Sequence, residues 1–344
     1  MSLSPTIPLA APQTGPKAFE HLQSAHCESG VISSLLRHEG VPVSEAMAFG
    51  LTAALSFAYI PLVKINQLPL IAYRMMPRYI LNGMRRQLRL PLRFETFRDP
   101  LAGRRRLDEL LDQGRIVGLQ SSVFFLPYFP VNMRFHFNAH NLIAFGREGG
   151  DYLISDPVFN GPTRCAPADL QRARFVRGAL APKGLIYYFD APLPPVEVTP
   201  LLRAAIRKNC FAMLYVPLPF VGCRGIRMLA RRVLKLPAKE DPEFTRRFIG
   251  HIVRMQEEIG TGGAGFRFLY AAFLQEAAVL LQKPVLHEFS LRLTAIGDNW
   301  REFALHAARM NKARSEIDLP LIHRLLSEIA DQESALYREL RQAV

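Results

Sequence analysis

Residues 24–38 read SAHCESGVISSLLRH. The stretch predicts an amphipathic helix that begins near Cys27 and runs to His38, with Gly40 as its stop and Ser24 placed to cap it. A helix start carries partial positive charge and N–H groups, both of which favour thiolate over thiol. A buried structural cysteine needs neither. Cys27 is therefore a candidate nucleophile, and the rest of the chain must supply its base.

Working outward, the 344 residues are 49% hydrophobic and 21% charged, the composition of a globular protein large enough for two domains. Residues 1–19 read as a proline-rich flexible arm with neither the basic nor the long apolar region of a signal peptide. The most apolar run, residues 49–63, is interrupted by Pro61 and stopped by Lys64, too short for a membrane span. Cys27, Cys165, Cys210 and Cys223 form no CxxC pair, which argues against a zinc site or a disulfide framework and fits a reducing cytoplasm. The net charge of +13 is spread along the chain and is mostly arginine. With no zinc finger and no aromatic-and-basic RNA-binding signature, nucleic acid is not the expected partner. The densest basic cluster, residues 203–235, holds eight Lys or Arg and no acid. It would attract an acidic protein or an anionic membrane surface.

A second cap is expected at Ser44, with Glu45 in the first turn of the helix it opens. After a helix over 105–113, the period shortens. Residues 116–125, 141–146, 151–157 and 184–190 read as strands, with GREGGD as the turn of a hairpin between the second and third. The four prolines of 191–200 mark a linker. Beyond it nearly every segment has helical spacing. The expected architecture is α+β over residues 20–190 followed by an all-α domain over 201–344.

A nucleophilic cysteine needs a base within hydrogen-bond reach and a group to orient that base. His136 and His140 precede the strand at 141–146, and Asp156 ends the strand at 151–157. Antiparallel pairing brings the start of one strand beside the end of the next, so His140 and Asp156 should meet at one open sheet end. His136 and His140 lie four apart, which would suit a metal on a helix, but the flanking residues read as extended chain and no metal is expected. His136 is instead a packing or substrate-facing candidate. His26 either lowers the pKa of Cys27 or points into the core, and it is also a substrate-binding candidate. The other three cysteines are expected to be inert. GTGGAG at 260–265 is either a tight interhelical loop or, with Arg267, an anion holder.

These motifs carry a resemblance. A cysteine at a helix start, a distant His followed by a glycine-containing hairpin, and a strand ending in Asp-Pro look like the papain-like cysteine peptidases of bacteriocin exporters. More specifically, HCESG, VSEAMAFGL and FHFNAHNLIAFG resemble the N-terminal domain of the butirosin biosynthesis protein H family. IGTGGAGFRFLYAAFLQEAA (259–278) resembles the helical domain that follows it there. The resemblance implies a papain-like fold and an acyltransferase that takes its acyl group from a thioester on an acidic acyl carrier protein. No bound cofactor is implied beyond the carrier's phosphopantetheine arm, for which Arg267 is the candidate anchor. It implies Cys27 as nucleophile, His140 as base and Asp156 as orienting carboxylate. Papain-like enzymes place an oxyanion-hole glutamine six positions before the cysteine; here that position is His21, and Gln23 is the nearest substitute. The acceptor would be the amine or hydroxyl of a small molecule or lipid. A peptide, amide or thioester hydrolase on the same residues stays open, as does a non-catalytic protein that binds a carrier or a membrane surface. The apolar helical domain leaves room for a homodimer.

Overall fold

The computed structural model describes residues 18–344 apart from Asn66 and Ile259, so most of the expected arm lies outside the described residues. In chain order the elements are α1 (Cys27–His38), α2 (Glu45–Leu51), β1 (Leu55–Ile65), β2 (Leu68–Arg74), α3 (Tyr79–Gln87), β3 (Leu92–Glu95), α4 (Pro100–Asp112), β4 (Val117–Ser121), β5 (His140–Glu148), β6 (Asp151–Ser155), β7 (Thr163–Cys165), α5 (Pro167–Phe175) and β8 (Ile186–Phe189). Six helices follow: α6 (Thr199–Leu214), α7 (Gly222–Val233), α8 (Pro242–Val253), α9 (Arg267–Leu280), α10 (Val285–Asn311) and α11 (Leu319–Ala343). Among the described residues no helix is long and apolar enough to cross a membrane.

The chain divides into two compact units, and not in simple sequence order. One comprises residues up to Ala48 together with Pro77–Glu197; the other joins Phe49–Met76 to Val198–Val344. The division falls within α2 and near the end of the proline-rich stretch. Residues 198–344 are helical, as their spacing predicts, but the unit they form also contains the β1–β2 hairpin. Its first strand begins inside the apolar run of 49–63. Pro61 sits where the register shifts between Ile60 and Lys64, an irregularity that spares the ladder the N–H proline lacks.

The first unit is built on an antiparallel sheet in the order β3-β8-β4-β5-β6-β7. GREGGD closes the β5–β6 hairpin as expected: Glu148 pairs with Asp151, and Gly149 and Gly150 both take positive φ, the conformation a two-residue hairpin turn requires. β4 and the first half of β5 are buried on both faces of the sheet. Leu119, Leu142 and Ala144 pack with Leu107 and Leu110 of α4 and Leu170 of α5. α1 lies against β5 on the sheet, burying Val31, Ile32, Leu35 and Leu36. Two strands differ from the sequence reading in detail. Residues 123–125 of the expected first strand turn into a short 3-10 helix, and the three-residue β7 is too brief to leave a periodic signal.

In the second unit, Arg267 and Glu333 form a fully buried, two-pronged ion pair. Trp300 donates its indole N–H to the same carboxylate at 2.7 Å. The guanidinium lies over the rings of Tyr73 and Trp300 and also donates to the Gly265 carbonyl. This corrects the expectation that Arg267 holds a ligand anion, since its donors are turned inward onto a protein carboxylate. The glycine loop beside it is the tight interhelical connection. Its Gly263 and Ala264 N–H groups donate to Thr261 and Glu257, and a side chain at Gly265 would run into Tyr73.

Candidate active site

Cys27 opens α1, as its sequence context predicts, but the cap is His26 and not Ser24. His26 is extended, and its Nδ1 accepts the Ser29 N–H while lying 2.9 Å from Ser29 Oγ. Buried and occupied in this way, His26 is a capping residue and not a substrate-facing one. Ser24 has a different task, donating its backbone N–H to Pro157. The whole segment before the helix is laid along the turn after β6. Phe19 stacks on Phe145 of β5, His21 reaches Ser155 Oγ at 2.7 Å and the Phe159 carbonyl at 2.9 Å, and Gln23 donates to the Val158 carbonyl at 3.2 Å. A Cβ at Gly30 would stand 2.5 Å from Ser24 Cβ, so glycine is what lets this strap lie flat on the helix. From the other side, the Glu45 carboxylate accepts the N–H groups of Ala25 and His26. Ser44 caps α2 by accepting the Met47 N–H, as expected. Glu28, fully buried, accepts the Ile80 and Leu81 N–H groups and so ties the start of α1 to the start of α3.

The strap carries Cys27 to the sheet end where His140 and Asp156 meet. His140 Nε2 lies 2.7 Å from Asp156 Oδ2. The same oxygen accepts the Tyr128 hydroxyl at 3.0 Å, and Oδ1 accepts the Val158 N–H at 3.1 Å. Phe129 meets the imidazole edge to face. With Nε2 engaged by Asp156, the hydrogen bond between the ring and Cys27 falls to Nδ1. Burial alone would push the His140 pKa down. The charge and hydrogen bond of Asp156 outweigh it, Cys27 adds to them, and the pKa rises to about 10. At neutral pH the ring is therefore a cation facing the sulfur.

The sign of the resulting pH dependence follows. A folded-state pKa raised above the ordinary 6.5 contributes stability that is complete below about pH 6.5 and is lost as pH climbs through about 10. NMR of labelled His140 should show a ring titrating near 10, moved sharply down in Asp156→Asn. A wild-type titration near 6.5 would contradict the assignment.

Of the remaining sequence candidates, Gln23 lies on the turn that carries Asp156. His136 is exposed, stacked on Phe124 with ring centroids 4.0 Å apart. Three residues escaped the sequence reading. Tyr128 sits in the aromatic stretch FFLPYFP at 124–130, whose composition suggests a pocket wall and not a partner for Asp156. Asn141 and Tyr187 lie buried on β5 and β8, where a polar side chain inside an apolar strand was the one available signal. Asn141 Nδ2 approaches Cys27 Sγ at 3.8 Å, and Tyr187 donates to Asn141 Oδ1 at 2.9 Å.

A cysteine at a helix start, set against an antiparallel sheet whose strand ends supply His and Asp, is the arrangement of a papain-like fold. Residues 26–157 match the family described as butirosin biosynthesis protein H, N-terminal, and residues 168–340 match that described as a domain of unknown function (DUF4872). The second match covers half of the chain, which belongs to that family, and the first covers its N-terminal part. No curated protein matches it. Among solved structures, a protein described as a C39-like peptidase from Bacillus anthracis is 11% identical with a TM-score of 0.37, over 51% of this chain and 96% of its own. So slight a likeness carries no argument, and the fold is read from the chain's own strand order and site.

Proposed function

We propose that the protein is an acyltransferase that moves an acyl group from a carrier-protein thioester, through a Cys27 acyl-enzyme, to an amine or hydroxyl of a small-molecule or lipid acceptor. The observation that carries the reading is the Cys27–His140–Asp156 arrangement in a chain whose N-terminal part matches a family named for a biosynthetic protein. The Cys27 thiolate attacks the thioester carbonyl, the carbon–sulfur bond to the phosphopantetheine breaks, and its thiolate takes the proton from His140. His140 then accepts a proton from the acceptor as the acceptor displaces Cys27 from the acyl group. The oxyanion falls to the Cys27 amide at the positive end of α1, with the second N–H of the Gln23 amide as partner. An acidic carrier suits the basic surface, in which Arg203, Lys208, Arg224, Arg231 and Lys235 are exposed.

Intact-mass spectrometry after incubation with acyl-loaded carrier protein tests this. The wild type should gain the mass of one acyl group, Cys27→Ser should gain none, and the adduct should outlast water but discharge onto an added amine. Prompt decay to the free acid in water would make the protein a hydrolase. No adduct from carrier or from a soluble pantetheine thioester would overturn the covalent route.

A further inference from the structure

The mechanism above uses one neighbour of the Cys27 sulfur and leaves another without a role. Asn141 follows His140 on β5 and is buried beneath the nucleophile. Its amide orientation is fixed by its surroundings. The Ala139 carbonyl can only accept, so the nitrogen must face it at 3.1 Å, and the Tyr187 hydroxyl donates to the oxygen at 2.9 Å. The second N–H of the same nitrogen is thereby directed at Cys27 Sγ, 3.8 Å away. Tyr187 is itself held by a gap in the sheet. Gly118 on β4 pairs with Tyr187, and a Cβ there would stand 2.1 Å from its ring, so glycine in this buried central strand is the space the ring occupies. Burial first, then the charges of Glu28 and Cys27, raise the Tyr187 pKa well above 10 against the pull of Arg78, so the hydroxyl remains a donor across the working range.

We propose that Asn141 is a second fixed donor to the Cys27 thiolate, held in that orientation by Tyr187 seated against Gly118. The proposal rests on Cys27 being the nucleophile. A neutral amide donating to sulfur stabilises the thiolate without supplying or removing a proton, which separates its part from that of His140. The titratable and charged groups that act on His140 beside the sulfur, or on the Tyr187 that holds Asn141, come from several elements: Asp156 after β6, Glu28 of α1 and Arg78 ahead of α3. None of them is altered by a substitution at Asn141.

The test is the pH profile of iodoacetamide alkylation, followed at each cysteine by peptide mass mapping. Losing one hydrogen bond to a charged atom should move the thiolate limb of Cys27 up by about one pH unit in Asn141→Ala. Below the limb the thiolate fraction should fall about tenfold, and labelling, partly offset by the more nucleophilic thiolate, should slow about threefold. Because nucleophilicity rises with thiol pKa, the plateau above it should become about threefold faster, so the two profiles cross. Asn141→Asp, nearly isosteric, should move the limb further up, and Tyr187→Phe should give a smaller shift in the same direction. A profile slowed equally at every pH would make Asn141 structural, and an unmoved limb would remove the donor; either overturns the proposal. Failure of the underlying reading looks different: wild-type Cys27 would then label no faster than Cys165, Cys210 and Cys223, whose thiols burial pushes up to about 12.

Discussion

His140→Ala is expected to slow acylation of Cys27 by a thioester about 10²–10⁴-fold, the usual contribution of a positioned acid–base group. Two losses combine in that figure. Without the imidazolium, the sulfur no longer has a cation beside it, so the thiolate fraction falls. The departing thiolate also loses its proton donor. The substitution should leave the first unit folded, because Asp156 keeps Tyr128 and Val158 as donors and stays tied into its turn. Cys27→Ser should abolish the adduct altogether. Asp156→Asn should retain a low rate, since an amide can still orient the ring but cannot hold its charge. Stopped-flow or quenched mass spectrometry of the adduct would read all three. Wild-type rates in Cys27→Ser would refute covalent catalysis at this residue.

The second large effect lies in the helical unit and concerns stability. Glu333→Ala should destabilise that unit by about 3–5 kcal/mol, the cost typical of stranding one partner of a buried ion pair. Arg267 would keep only the Gly265 carbonyl and two aromatic faces, and the Trp300 indole would lose its acceptor. Replacing both partners, as in Arg267→Met with Glu333→Leu, should cost far less, because no lone charge remains in the core. The protein has a single tryptophan, and it sits on this pair, so urea unfolding followed by Trp300 fluorescence reports on this unit. If Glu333→Ala left the midpoint of that transition unchanged, the pair would not be the internal tie described above.

How far these sites could be read beforehand varied with the range of the interactions involved. Cys27 announced itself through local context, because a helix start needs only a few residues to define it. His140 and Asp156 could be joined because the hairpin between them is short and its glycines fix the register. His26 was harder: its imidazole caps through Nδ1, a role for which serine was the commoner expectation. Asn141, Tyr187 and Gly118 come from three strands, and nothing in sequence order indicates that β8 lies between β3 and β4. Arg267 misled for a related reason. An arginine after a glycine loop resembles an anion site until the partner 66 residues away is seen. The β1–β2 hairpin was obscured by Pro61, which argues against a strand wherever the register is regular.

The strap before α1 has a practical consequence. Residues 19–24 contribute little to the apolar interior, yet they align the nucleophile with the turn that carries Asp156. A chain trimmed past Phe19 would keep its sheet and helices while losing the brace that sets the spacing between sulfur and imidazole. Truncation boundaries, protease sites and N-terminal fusions therefore belong upstream of Ala18, because from there onward folded and competent are separate properties.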